Sequence, residues 1–304
     1  MPNLKKFIYL FPLVYATIWG MSYIWTNQLL GFGFEVATIV LSRLVISATL
    51  LFTFLFITRT FERIKKKDIK WFLMLAFFEP FLYFICETNG LRKTSPTISA
   101  VIISTIPLFI PIAAYYFYRE KLTVSRFIGT VVSIGGVCLV LFHQGGETIL
   151  SISGIMFLIA AVFCAVMYNT ILKRLSGSHS PVTIVATQNL IGAFYFLPLF
   201  LTMEGEGFAH LNIGWAQLQP LLMLSVFASS IAFILSVYTI RTLGMNRACV
   251  FSTLVPVMTA VFAFFFGVED LTLVKLLGIG CVIGGLILTQ TTLKKRRCMS
   301  TNME

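Results

Sequence analysis

Apolar runs separated by short polar connections follow one another along almost the whole chain. Ten runs are long enough for a helix that crosses a membrane, which needs about 20 apolar residues. We number them segments 1 to 10 and predict an all-α membrane protein with ten transmembrane helices. Too few residues remain between the runs for a soluble domain. The predicted ranges, in chain order, are 7–28, 34–57, 71–91, 96–118, 124–142, 152–173, 180–202, 215–240, 245–267 and 273–292.

An internal repeat is superimposed on this pattern. Residues 107–139 align without a gap with residues 256–288 at an offset of 149, and 11 of the 33 positions are identical. Segments 1 and 2 align with segments 6 and 7 at an offset of 145. Because corresponding segments lie five apart, an odd number, the second half enters the membrane in the opposite orientation. This predicts two inverted five-helix repeats, residues 7–142 and 152–292, followed by a basic cytoplasmic tail over residues 293–304.

Composition and charge support a membrane location. Hydrophobic residues make up 58% of the chain, charged residues only 12%, and the mean hydropathy is +0.90, which exceeds what a soluble domain of this size can bury. The net charge of +11 lies mainly at segment ends. With the N-terminus inside, 19 Lys and Arg residues fall on the cytoplasmic side and three outside. Cytoplasmic loops carry this excess in membrane proteins, so both termini are predicted to be cytoplasmic, and no nucleic-acid partner is indicated.

The sequence lacks the common patterns of enzymes and metal sites. No GxSxG, HExxH or P-loop spacing occurs, and the three histidines all fall between segments. Five of the six cysteines lie inside apolar runs, and none belongs to a CxxC pair. They are interpreted as small packing residues. We therefore predict that the protein is not an enzyme and has no cofactor or metal.

The repeated hairpin resembles a known domain. Each half has a proline in its fourth helix (Pro107, Pro256), a Glu-x-Leu-Thr elbow, a glycine six residues after the Thr, and a Gly-Gly pair. This arrangement resembles the EamA-type domain, which occurs twice in ten-helix members of the drug/metabolite transporter superfamily. WGMSYIW at 19–25 and LSRLVISA at 41–48 are similar to the first two helices of that family. The resemblance implies export or uptake of small metabolites, amino acids among them, through a central cavity by alternating access.

Among the charged residues of the predicted helices, Arg43, Glu79 and Glu87 stand out, because a charge inside a membrane costs several kcal/mol and therefore suggests a function. At 1.5 Å per residue, Arg43 is about 13 Å and Glu79 about 16 Å below the outer surface. These matching depths allow either a structural ion pair or a role of Glu79 in proton coupling, with Arg43 as its partner or as the ligand of a substrate carboxylate. Glu87, about 5 Å deep, fits a carboxylate of the external vestibule and is a second coupling candidate.

Prolines and glycines mark candidate hinges and contacts. Pro80 follows Glu79 directly and predicts a kink near the middle of segment 3, where a buried carboxyl group is suited to take up a proton. Pro107 and Pro256 are either hinges or tolerated kinks. The glycine pairs favour close packing of segments 5 and 10, and the resemblance implies that this contact could also form a homodimer. The elbow carboxylates Glu120 and Glu269 are interpreted as charges at helix N-termini.

In the resembled family, segments 1, 3, 4, 6, 8 and 9 line the central cavity. Carried onto this sequence, the resemblance gives candidate cavity residues in addition to Arg43, each of which could instead serve helix packing. They are Trp19, Ser22, Tyr23, Tyr83, Ser104, Tyr168, Asn169, Ser229 and Ser252, together with Glu79.

The leading hypothesis is a secondary transporter of a bacterial cytoplasmic membrane. It would move a small organic metabolite, an amino acid or similar compound, outward against protons, with Glu79 and Glu87 as coupling candidates. One alternative is an uncoupled importer or facilitator. A different class of alternative is a membrane scaffold or sensor that does not transport, although a scaffold gains little from charged residues inside the membrane.

Overall fold

A computed structural model describes residues 10–118, 128–129, 131–132, 135–136, 139, 151–205, 214–245, 248, 251–268, 270 and 272–300. All regular secondary structure within these ranges is helical, and no strand occurs in them. Six helices are long and apolar enough to cross a membrane, and two shorter apolar helices accompany them. Most of segment 5 and both elbow carboxylates, Glu120 and Glu269, lie outside the described residues.

The described helices follow the predicted segments closely. Segment 10 continues as a helix through the first residues of the predicted basic tail. In segment 9, Met245, Ala248 and Phe251 are helical, and an α-helix covers Val255–Phe265. The helices of segments 1 to 4 and 6 to 10 are Leu10–Gly31, Val36–Ile57, Lys66–Arg92, Pro96–Phe117, Ile152–Leu175, Pro181–Glu204, Trp215–Leu243, Val255–Phe265 and Leu273–Ser300.

Segment 3 breaks at its centre, as Pro80 predicts. The break is π-helical over Phe77–Leu82, and Glu79 within it is extended, with φ −148° and ψ 121°. The residue before a proline is sterically disfavoured in the α conformation, because the proline ring clashes with its backbone and Cβ. The backbone therefore leaves the helical conformation at Glu79, the residue whose carboxylate is buried.

Segments 4 and 9 are broken in matching ways. Segment 4 consists of helices Pro96–Ile103 and Ile106–Tyr118, and Pro107 lies in the first turn of the second helix. In segment 9, a 3₁₀ turn at Ser252–Leu254 precedes the α-helix, with Pro256 in its first turn. A proline costs little in a first turn, where its missing N–H would have no intrahelical partner. Pro107 and Pro256 therefore each lie at the start of a helix that follows a break.

Segments 2 and 7 pack side by side and antiparallel. At one end, the Glu204 carboxylate accepts hydrogen bonds from the backbone N–H groups of Ala37 (2.9 Å) and Thr38 (2.6 Å) at the start of segment 2. At the other end, the Glu62 carboxylate, which follows segment 2, accepts one from the N–H of Ser180 (2.9 Å) at the start of segment 7. Carboxylates stabilise helix N-termini by satisfying free N–H groups and opposing the helix dipole.

Glycines bring three further pairs of segments into close contact. A Cβ added to Gly20 in segment 1 would lie 2.6 Å from the Met258 Cβ in segment 9, and one on Gly90 in segment 3 would lie 2.6 Å from Leu158 in segment 6. A Cβ on Gly136 would lie 2.7 Å from the Gly278 carbonyl oxygen. This last contact confirms the predicted close packing of segments 5 and 10.

The Gly20 contact predicts a stability loss. Replacing Gly20 by Ala should lower the free energy of unfolding by about 1–3 kcal/mol, because the new methyl group overpacks against segment 9. Thermal unfolding of the detergent-purified protein measures this. Gly31→Ala is the matched control, since no described residue outside its own stretch of helix comes within 4 Å of the added Cβ. Equal melting temperatures for the two variants would contradict the described contact.

Candidate functional site

The helix breaks surround a cavity of about 100 Å³ in the described part of the chain. Its wall is formed by segments 1, 2, 3, 4, 6, 8 and 9. Ser229 lies outside this wall and contacts a wall residue, while Pro80, Pro107 and Pro256 lie at the breaks and do not line it. The predicted site residues in the wall are Trp19, Ser22, Tyr23, Arg43, Glu79, Tyr83, Glu87, Ser104, Tyr168, Asn169 and Ser252.

Arg43 lies almost fully inside the protein, with 4% of its surface exposed. Its Nε donates a hydrogen bond of 2.8 Å to the Ser229 Oγ. The guanidinium carbon lies 4.3 Å from the centroid of the Phe84 ring, a cation–π contact. Among the described residues, no carboxylate is within ion-pair distance of Arg43 and no acceptor pairs with its terminal nitrogens. The direct ion pair with Glu79, one of the two sequence alternatives, is therefore not formed.

Glu79 presents a second charge to the same cavity. Its side chain is 7% exposed and lines the wall at the break in segment 3. No side chain or N–H group in the described ranges donates a hydrogen bond to its carboxylate. Because a buried carboxylate without a partner is costly, Glu79 must gain a proton or a cation, or draw on water in the cavity.

Glu87 occupies a different environment in the same wall. The Tyr83 hydroxyl donates a hydrogen bond of 2.7 Å to the Glu87 Oε1. Tyr23, from segment 1, lies close enough to interact with both residues. The two carboxylates, predicted at different depths on one stripe of segment 3, thus share a cavity, and Glu87 has the hydrogen-bond partner that Glu79 lacks.

A polar network behind the wall holds Arg43 in place. The Asn189 amide nitrogen donates hydrogen bonds to the Ser47 Oγ (2.8 Å) and to the Ser229 carbonyl oxygen (3.0 Å). The Ser47 and Ser230 hydroxyls are 2.6 Å apart. Hydrogen bonds thus join segments 2, 7 and 8 at this point.

Gln188 stands beside this network and is the repeat counterpart of Arg43. Its Oε1 accepts a hydrogen bond of 3.1 Å from the Tyr168 hydroxyl. Its Nε2 is buried and has no hydrogen-bond partner in the described part of the chain. Arg43, the charged member of the pair, therefore lines the cavity. Gln188, the neutral member, lies at the helix interface.

Aromatic rings form one side of the cavity. The Trp19 ring lies 4.9 Å from Tyr15 and 5.4 Å from Phe233, measured between centroids. Phe233 in turn contacts Phe84 and Tyr168, at 6.5 and 6.4 Å. Sequence reasoning did not select Tyr15, Phe84 or Phe233. The offset of 149, which relates Phe84 to Phe233, is the signal that could have found the last two.

No group of three or more His, Cys, Asp or Glu residues within the described ranges is arranged to hold a metal ion. The described wall of the site contains two carboxylates, one guanidinium, several hydroxyls, the Asn169 amide and an aromatic surface. Such a set can bind a small polar organic molecule and can exchange protons.

Comparison with known proteins identifies the relatives of the chain. The model of the EamA-like transporter family matches residues 6–142 and 152–291. The chain is 29% identical over 257 residues to the uncharacterized transporter YetK of Bacillus subtilis, covering 84% of this chain and 77% of YetK. It is 26% identical over 286 residues to an uncharacterized transporter of Archaeoglobus fulgidus, covering 93% and 98%. A solved crystal structure at 14% identity has a TM-score of 0.72, covers 94% of this chain and 98% of that one, and shows the fold alone.

The network around Arg43 predicts a second stability effect. Replacing Asn189 by Leu should lower the free energy of unfolding by about 1–2 kcal/mol, because two interhelical hydrogen bonds are lost. Thermal unfolding in detergent measures the change. Asn89→Leu is the matched control, since among the described residues the one acceptor of the Asn89 amide is the Ile85 carbonyl oxygen of its own helix. If Asn189→Leu is no less stable than this control, the network does not join the helices.

Proposed function

Because the chain belongs to the EamA-like transporter family, we propose that this multi-pass membrane protein is a secondary transporter that exports a small organic metabolite by alternating access. The observation that carries the proposal is the cavity in which Arg43, Glu79 and Glu87 meet. Charges inside a membrane are costly and mark ion or substrate pathways. An amino acid or a similar compound has polar groups that suit such a wall. The cell membrane involved is the cytoplasmic membrane of a bacterium.

The proposed architecture is ten helices in two inverted repeats, residues 7–142 and 152–292. One support is that corresponding residues of the two halves line the same cavity. At offsets of 145 or 149, these pairs are Tyr23 with Tyr168, Phe84 with Phe233, Glu87 with Ser236, Ile103 with Ser252 and Ile106 with Val255. An inverted repeat places its binding site at the interface of the halves.

A second support is that helix contacts occur in matching pairs. Segment 1 packs on segment 9, and the counterpart contact, segment 6 on segment 4, is also present. Segment 3 packs on segment 6, and the counterpart contact, segment 8 on segment 1, is present as well. Segments 2 and 7, which would be counterparts, lie antiparallel, and the N-terminus of each is bound by a carboxylate at the end of the other helix (Glu204) or just beyond it (Glu62). An inward-open and an outward-open form built from such equivalent contacts would have similar energies. Pro80, Pro107 and Pro256 mark where the helices would bend.

Proton coupling is assigned to the first repeat. At the offset of 149, Glu79 corresponds to Ala228 and Glu87 to Ser236, so the second repeat offers no carboxylate at these positions. Glu79 is the main coupling residue because it faces the cavity without a donor among the described residues. The charge asymmetry of the loops supports cytoplasmic N- and C-termini, and the homodimer stays a prediction.

The proposal predicts a specific transport defect. In proteoliposomes with a pH gradient, Glu79→Gln should abolish gradient-driven accumulation of the compound that a panel of radiolabelled amino acids identifies as substrate. Counterflow of the same compound should persist, because exchange at equal pH needs no net proton movement.

Asp270→Asn is the matched control, since Asp270 is an exposed carboxylate outside the spanning segments. Gradient-driven transport that survives Glu79→Gln would remove Glu79 from the mechanism. If no compound of the panel is taken up faster by vesicles that already contain it, the result would instead favour a membrane scaffold that does not transport.

A further inference from the structure

Basic side chains around the start of segment 3 have no acidic partners in the described part of the chain. Residues 58–71 include six Lys and Arg residues and two carboxylates, Glu62 and Asp68. The Asp68 Oδ2 lies 3.2 Å from the Nε2 of His179. The Glu62 Oε2 accepts a hydrogen bond of 2.9 Å from the backbone N–H of Ser180. Both carboxylates are therefore engaged at the start of segment 7, and no described carboxylate lies within ion-pair distance of the six cations.

The indole ring of Trp71 brings two cations from different segments together. The guanidinium carbon of Arg174, in the last turn of segment 6, lies 4.3 Å from the ring centroid. The Lys70 Nζ lies 5.9 Å from the same centroid. Stacking on an aromatic ring orients a guanidinium and leaves the N–H groups at its edge free. Because Lys70 and Arg174 are both exposed, one anion with several oxygens can bind both and offset their mutual repulsion.

An exposed apolar strip continues from these cations into the membrane. Lys66, Lys70, Leu73 and Phe77 follow one another at spacings of four, three and four residues, which place them on one face of a helix. Leu73 is 43% and Phe77 is 41% exposed. The Tyr195 ring of segment 7 lies beside the strip, 6.1 Å from the Phe77 ring. The surface is thus charged at the end of the segment and apolar toward its middle.

A phospholipid with an anionic headgroup matches this surface. Phosphate oxygens accept hydrogen bonds from guanidinium and ammonium groups. Basic residues beside a spanning helix attract anionic lipids, and a tryptophan at a helix end lies at headgroup level. We propose that a lipid-binding surface formed by Lys70, Trp71, Leu73, Phe77 and Arg174 holds one anionic phospholipid. Its phosphate binds between Lys70 and Arg174, and an acyl chain lies along Leu73 and Phe77.

The bound lipid has a structural consequence. Lys70 belongs to segment 3 and Arg174 to segment 6, so one phosphate links the ends of two packed helices. A ligand that binds the folded form alone stabilises it. The lipid therefore stabilises the contact between segments 3 and 6 at this end. This inference requires the membrane location of the chain and does not rest on the proposed transport function.

Native mass spectrometry of the full chain in a non-ionic detergent tests the proposal with three probes. They are phosphatidylglycerol, phosphatidylcholine with the same acyl chains, and free glycerol 3-phosphate. Phosphatidylglycerol should bind at least about tenfold more tightly than phosphatidylcholine, whose choline group cancels the phosphate charge, because each basic contact contributes roughly fivefold to affinity. Glycerol 3-phosphate at equal concentration should not displace phosphatidylglycerol, because it has no acyl chain.

A pair of double variants separates a built site from general positive charge. Lys70→Gln with Arg174→Gln should weaken phosphatidylglycerol binding at least about tenfold, because both phosphate contacts are lost. The matched control is Arg63→Gln with Arg241→Gln, which removes the same charge from exposed residues outside the lipid-binding surface. It should weaken binding less than about threefold, because distant exposed charges are screened.

The ring of Trp71 allows a test at constant charge. Trp71→Leu should weaken phosphatidylglycerol binding about two- to fivefold, because the guanidinium of Arg174 loses the ring that orients it. The matched control is Trp215→Leu, since Trp215 is 70% exposed at the start of segment 8. This control should leave the affinity unchanged.

The lipid assignment is overturned if phosphatidylcholine or glycerol 3-phosphate binds as tightly as phosphatidylglycerol. It is also overturned if the two double variants lose affinity equally, or if Trp71→Leu binds the lipid as the unmodified protein does. If a variant fails to fold, as judged by size-exclusion chromatography, the three probes on the unmodified protein decide alone. None of these results bears on transport, which the amino-acid panel in proteoliposomes tests separately.

Discussion

The cost of leaving polar groups without partners inside a membrane governs this structure. Hydrocarbon offers no hydrogen bonds, so irregular backbone at membrane depth is tolerated only where it is buried in protein or lines a cavity. The three breaks described above obey this rule. Glu79 in segment 3, Ser104 in segment 4 and Ser252 in segment 9 each lie at a break, and each lines the cavity. Elsewhere in the spanning parts of the described chain, the backbone remains helical.

The same constraint explains how the charged residues are arranged. Arg43 has one hydrogen-bond partner, the Ser229 hydroxyl, and one aromatic contact, and Asn189 in turn donates a hydrogen bond to the backbone carbonyl oxygen of Ser229. These contacts orient the guanidinium without neutralising it. An ion pair between Arg43 and Glu79 would have neutralised both charges, whereas in the described structure both side chains line the cavity without that contact.

Much of this could be predicted from sequence because hydrophobic length and loop charge are local properties. The positions of the helices followed from them, the break at Pro80 followed from the proline itself, and the matching depths of Arg43 and Glu79 followed from the rise of the helix. The hydrogen-bond partner of Arg43 could not be predicted in this way. The position of a residue along a helix gives its depth in the membrane but not the direction in which its side chain points around the helix axis. Phe84 and Phe233 were missed because the sequence contains 30 phenylalanines. Residue type alone does not distinguish a phenylalanine that faces lipid from one that faces a cavity. The binding of Glu204 to the start of segment 2 depends on the antiparallel packing of segments 2 and 7, which no local pattern reveals.

Alternating access to the cavity is the central claim, and thiol labelling from each side of the membrane tests it most directly. Ser22→Cys, in a chain whose six native cysteines are replaced by serine, places one thiol in the cavity wall. A membrane-impermeant maleimide is then applied to right-side-out and to inside-out vesicles. The account predicts that this thiol is modified from both sides, because each conformation opens the cavity to one of them. Modification from one side alone, with or without a pH gradient, would contradict it.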